Sequence, residues 1–156
     1  MFGRIVPRYD LINRLMSFGM DRRWRRLAAE RAVSPGALAL DVGTGTGDLA
    51  VELRHAGAAR VLGADFSPGM LVAAARRHGA SSVEWLQADV LRLPLPDGMF
   101  DCVTNAFVLR NLADLKAGLA EMARVLKPGG RLVCLDLTQP PTGGIGRAYR
   151  LYFERV

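Results

Sequence analysis

The run Asp41-Val42-Gly43-Thr44-Gly45-Thr46-Gly47-Asp48 places three glycines and two threonines between two carboxylates. Alternate glycines let a backbone turn sharply and approach a ligand with no Cβ atoms in the way. A dinucleotide fingerprint needs its third glycine three residues after the second; that position is Asp48, whose charge at a helix start opposes a pyrophosphate. A P-loop is excluded as well, because no Gly-Lys-Ser/Thr follows. The run holds no basic residue. It suits a ligand that carries ribose and positive charge but no phosphate, with Asp41 and Asp48 where its positive groups could lie.

Asp65, 24 residues after Asp41, is spaced to end the next strand and accept hydrogen bonds from both ribose hydroxyls, with Phe66 directly after it. Asp89 is placed to accept from an adenine amino group, with Val90 against the ring. S-adenosylmethionine, which carries a sulfonium and an ammonium, fits these features. Gly43, Thr44, Gly45 and Thr46 would then cradle it, and Asn105, Ala106 and Phe107 would line the methyl-transfer face. No metal site is expected. Cys102 and Cys134 read as reduced core residues of strands, and His55 and His78 as residues of outer helices.

The elements that must hold these residues alternate along the chain. Strands are expected at Ala37–Val42, Arg60–Asp65, Val83–Ala88, Phe100–Phe107 and Gly130–Leu137. Helices are expected at Gly47–His55, Pro68–His78 and Ala113–Val125, the last stopped by Lys127-Pro128-Gly129-Gly130. This alternation predicts an α/β, Rossmann-like, mostly parallel sheet, which binds ligands at the carboxyl ends of its strands. Before residue 37 no strand is read; Asp21–Val33 reads as a helix with Asp21 as its N-cap, so residues 1–35 form a helical arm and residues 36–156 the binding domain.

At 156 residues the chain can bury a core, and half of its residues are apolar. The longest apolar run, Met70–Ala75, is too short for a membrane span or a leader, which predicts a cytoplasmic protein. Of the net charge of +6, the first 35 residues hold eight arginines against three acids. Arg22, Arg23, Arg25 and Arg26 around Trp24 suit an anionic membrane surface, as a peripheral contact; no nucleic-acid motif is present.

The order of these motifs resembles that of class I S-adenosylmethionine-dependent methyltransferases. Tyr9-Asp10-Leu11-Ile12-Asn13 with Ser17, Arg22 and Trp24 resembles the first signature of the ubiquinone/menaquinone biosynthesis C-methyltransferases. Arg124 through Gly130, with Asp136 and Thr138, resembles their second, and Phe107-Val108-Leu109-Arg110-Asn111 their Phe-Gly-Leu-Arg-Asn element. Asp21 departs from the family's His, and Val108 from its Gly, which narrows the pocket. The resemblance implies methylation of a ring carbon on a reduced, lipophilic polyprenyl quinol, with Arg110, Asn111, Asp10 and Tyr9 as the groups that act on the acceptor. It also implies two further strands past the fifth. Their absence predicts a shortened chain whose edge strand 131–137 pairs with a second copy or another chain. A chain that binds cofactor but is inactive alone, and a methyltransferase for another small acceptor, are the alternatives.

Overall fold

The computed structural model describes residues 20–79 and 83–136. Within them the chain runs α1 (Asp21–Ala32), β1 (Leu38–Val42), α2 (Asp48–His55), β2 (Arg60–Asp65), α3 (Pro68–His78), β3 (Glu84–Gln87), β4 (Phe100–Ala106), a 3-10 turn (Leu109–Asn111), α4 (Leu115–Val125) and β5 (Leu126–Leu135). The strands form one parallel sheet in the order β3-β2-β1-β4-β5. After β1 the chain moves outward to β2 and β3, then returns to the other side of β1 for β4 and β5. The strand order therefore reverses between β1 and β4, which is where sheets of this kind open a crevice.

Apolar runs make the central strands, because both of their faces are covered. On one face Ala28, Ala29 and Ala32 of α1 and Leu49, Ala50 and Leu53 of α2 pack on Ala39, Val61 and Cys102. On the other, Met122 and Val125 of α4 pack with Val90 and Leu93 on Leu40, Val42, Phe100 and Val103. The small side chains of α1 let that helix lie close to the sheet.

The expected ranges of β2 and α3 match those observed. Three local expectations are corrected. Asp21 is the first residue of α1 rather than its cap: Met20 holds that place and makes no side-chain cap bond. The fifth strand begins at Leu126, not Gly130, because Met99 N–H donates to the Val125 carbonyl and Phe100 pairs with Leu126, so α4 runs directly into β5. Cys134 is exposed rather than in the core, since β5 is the outer strand among the described residues, whereas Cys102 is buried.

Arg124 fastens the link between β3 and β4. Its Nη1 donates to the Leu95 carbonyl at 2.8 Å and its Nη2 to the Leu93 carbonyl at 3.0 Å, while Glu121 takes Nε at 2.8 Å. That link follows Asp89 and Val90, so the latch fixes one wall of the crevice. Arg124→Met is expected to lower the urea midpoint and to speed amide exchange in residues 91–95; exchange unchanged there would show that other contacts hold the link.

Candidate functional site

Asp41 is 2% exposed, and its two carboxylate oxygens accept the hydroxyls of Thr44 at 2.7 Å and Thr104 at 2.9 Å. The donors come from the glycine turn and from β4, so one buried group joins β1, the turn and β4. Burial pushes its carboxyl up to about 6, against the lowering pull of the two hydroxyls and of the nearby Arg25 charge. Asp41 thus positions the turn from beneath rather than presenting an oxygen to the crevice.

The turn is held against β2 as well. Thr44 N–H donates to the Ala64 carbonyl at 2.9 Å, and Gly45 N–H donates to Asp65 Oδ2 at 2.8 Å. Its glycines serve different ends. A Cβ on Gly43 would stand 2.4 Å from Val108 Cγ2, and one on Gly47 2.5 Å from Trp85 Cη2. Gly45, at φ +56°, would meet nothing within 4 Å, which marks the open side of the turn. Trp85 was not singled out by the sequence: it also fills the space beside Gly63 in β2, and only the pairing of β3 with β2 brings it there.

Asp65 Oδ1 accepts from Ser67 N–H at 2.9 Å, shaping the entry to α3, whose first residue Pro68 has no N–H to satisfy. Each carboxylate oxygen retains a further acceptor direction. Phe66 is 71% exposed beside it. The end of β3 lies alongside, with Ala88 N–H on the Asp65 carbonyl at 3.0 Å. Asp89 is exposed and Val90 buried beneath it; Asp89 Oδ1 takes Leu91 N–H at 2.9 Å.

Several expected residues lie elsewhere. Asn105 is fully buried on the α4 side of the sheet, its amide donating toward Cys134 Sγ at 3.1 Å and Met122 Sδ at 3.5 Å, so its side chain does not line the crevice as expected. Ala106 is half-buried at the end of β4. Asp48 faces α3 and pairs with Arg77 at 3.2 Å, so its charge is already matched. His78 lies on the flanking helix α3 as expected, and its Nε2 stands 3.1 Å from the Thr46 carbonyl, behind the turn. Tyr9 and Asp10 lie outside the described residues.

Past β4 the backbone turns over at Phe107, a non-glycine residue at φ +61°, which Asn111 steadies by donating Nδ2 to the Phe107 carbonyl at 3.3 Å. Arg110 Nη1 pairs with Asp136 at 3.1 Å, and its guanidinium carbon lies 5.6 Å from the centre of the Phe107 ring. Arg25 is not part of the exposed basic face: its guanidinium lies 5.3 Å from the same ring. A separate cavity of about 330 Å³ opens at the amino ends of the strands, between residues 34–37 and 127–131. It is at the wrong end of the sheet for the crevice just described.

A parallel sheet in this order, with a carboxylate-flanked glycine turn at its reversal point, is the Rossmann-like architecture that class I methyltransferases use. A solved S-adenosylmethionine-dependent methyltransferase from Aquifex aeolicus superposes with a TM-score of 0.70 at 26% identity, covering 92% of this chain and 78% of that one. The model of the ubiE/COQ5 methyltransferase family matches residues 1–156, and the chain belongs to that family. A demethylmenaquinone methyltransferase from Thermus thermophilus is 54% identical over the whole chain, and a ubiquinone/menaquinone biosynthesis C-methyltransferase from Desulfotalea psychrophila is 45% identical over 99% of it. The chain spans 73% and 63% of the lengths of those two relatives. Membership of this family implies S-adenosylmethionine as methyl donor.

Two outcomes test the turn. Because burial raises the Asp41 carboxyl in the fold, its ionisation opposes folding: the penalty is absent below pH 3.8, where the carboxyl is protonated folded and unfolded, and grows as pH rises through about 6. Asp41→Asn removes this penalty, on the order of 3 kcal/mol. The unfolding free energy of the variant relative to the parent should therefore climb between pH 4 and 7 in urea titrations; parallel profiles would contradict the burial argument. Gly43→Ala should destabilise the fold through both the Val108 clash and a left-handed alanine, and adding Val108→Ala should recover the clash while leaving about 1–2 kcal/mol of backbone cost. A double-mutant cycle with no coupling would show that the two residues do not touch.

Proposed function

We propose that the chain transfers a methyl group from S-adenosylmethionine to a ring carbon of a reduced polyprenyl quinone precursor of the demethylmenaquinol type. The observation that carries this reading is the placement of Arg110 and Asn111, at the carboxyl end of β4 on the loop whose Val108 packs on the glycine turn. Family membership and the names of the relatives support the acceptor class.

The residues present fit the cofactor. The open side of Gly45 admits close backbone approach, no basic residue in the 41–48 run invites phosphate, and Asp65 offers acceptor directions beside it. When bound, the cofactor supplies an electrophilic methyl on its sulfonium. Asp65 would receive the ribose hydroxyls, with Asp89 and Val90 at the adenine, and Phe66 covering the nucleoside. Thr44 and Thr46 keep the turn in shape, both being less than a tenth exposed.

The chain's task at the acceptor is to hold the ring carbon in line and to make it nucleophilic. In-line positioning contributes up to ~7–11 kcal/mol of barrier lowering. Arg110 is placed to stabilise the oxyanion that forms when a quinol hydroxyl loses its proton. Its pairing with Asp136 fixes the guanidinium's direction. Asn111 holds the loop through the Phe107 carbonyl, and Tyr9 and Asp10 are the acceptor-side groups that the family resemblance adds. The polyprenyl chain requires a membrane, and exposed Arg22, Arg23 and Arg26 beside exposed Met20 and Leu27 form the surface of α1 that we assign to it. Among the described residues no helix is long and apolar enough to cross a membrane. The edge of β5 that no strand among the described residues pairs is the place we assign to a second copy or partner chain.

Purified chain incubated with methyl-labelled cofactor and demethylmenaquinol in vesicles is expected to label the quinone, and Asp65→Ala to weaken cofactor binding by at least ~100-fold in calorimetry. Cofactor binding without label in the quinone would favour a chain that is inactive alone. Label in another small acceptor would redirect the substrate class.

A further inference from the structure

Among the described residues, Arg25 holds a buried cationic N–H that no acceptor meets. Its side chain is 11% exposed, its Nε is buried without a hydrogen-bond partner, and the nearest carboxylate oxygen, Asp21 Oδ2, stands 3.9 Å away. Of the donors of this guanidinium the Nε N–H is buried and unmatched, which is costly unless an acceptor arrives. Stacking on Phe107 offsets part of that cost through the ring face but takes none of the N–H groups. Yet the fold spends an arginine on this spot, close enough to Asp41 for its charge to be felt there.

The crevice has a direction. Asp65 and Asp89 stand at the ends of β2 and β3, on the side assigned to ribose and adenine. A cofactor laid across the turn therefore sends its amino-acid end toward β4, where Phe107 and Arg25 sit. That end carries a carboxylate as well as an ammonium, and the 41–48 run offers no cation for it. Arg110 is paired with Asp136. We propose that Arg25, delivered from α1 and braced on Phe107, binds the carboxylate of the methionine moiety of S-adenosylmethionine. This rests on the cofactor reading above and extends it to a residue outside the sheet. It also gives α1 a part in the site: Asp21 and Arg25, one helical turn apart, face inward while Arg22, Arg23 and Arg26 face solvent.

The test measures binding rather than turnover. Dissociation constants for S-adenosylmethionine, its demethylated thioether product and decarboxylated S-adenosylmethionine are determined by calorimetry for the parent chain, Arg25→Met and Arg25→Lys. Arg25→Met is expected to lose about 10- to 100-fold for the two ligands that keep the carboxylate and less than twofold for the one that lacks it. Arg25→Lys, which keeps the charge but not the fork of donors, should recover only part of the loss. Equal losses for all three ligands, or no loss for any, would overturn the assignment. If Arg25→Met does not unfold cooperatively, the comparison passes to the other two chains: the parent must prefer the carboxylate form over the decarboxylated one by at least tenfold, and Arg25→Lys must narrow that preference. An unaltered preference overturns the assignment. A parent chain that binds none of the ligands defeats the cofactor reading itself, which separates that failure from the failure of Arg25 alone.

Discussion

Where β1 meets β4, a carboxylate that water barely reaches is shared between two threonine hydroxyls, one from the glycine turn and one from the neighbouring strand. Nearly every feature of the crevice depends on this knot. With Asp41 and Asp65 both engaged, the turn cannot swing away from β2 or lift from β4, so its positive-φ backbone stays in one shape before any ligand arrives. The cost of burying Asp41, visible in its raised carboxyl, is borne at the point where strand order reverses, as strain and unfavourable burial tend to be at sites. Hydrophobic packing from α2 on one side and α4 on the other then makes the arrangement stiff.

The two ends of the crevice differ in charge, and that difference suits one kind of ligand. At the β2 and β3 end stand Asp65 and Asp89; at the β4 end two arginines share the ring of Phe107. The turn between them carries no basic side chain, and its two carboxylates are engaged by Thr44 and Thr104 and by Arg77. A dinucleotide would bring pyrophosphate to the middle, where the run 41–48 supplies no basic side chain. A zwitterionic adenosyl compound distributes its charges to match both ends.

Local chemistry made much of this legible. Asp65-Phe66-Ser67-Pro68 ends a strand and begins a helix for reasons contained within four residues, and both boundaries fell where expected. The glycine run was legible because its spacing excludes the known phosphate-binding turns. What escaped was set by contacts distant in sequence. Trp85 supports the turn only because β3 pairs with β2, and Val108 caps Gly43 only because β4 returns beside β1. Arg25 looked like one of four equivalent arginines until packing on Phe107 set it apart. Asn105 shares a strand with residues of the crevice, but the alternation of β4 turns its side chain to the α4 face. Asp21 can open a helix as cap or as first residue, and nothing local separates the two.

Calorimetric titration of the chain with S-adenosylmethionine and, in parallel, with NAD tests most directly whether the turn recognises sulfonium chemistry in preference to phosphate. Saturable one-to-one binding of the sulfonium compound, with no detectable heat from NAD at the same concentrations, is the predicted result. Tighter binding of NAD, or competition by NAD for the same crevice at comparable concentration, would contradict it.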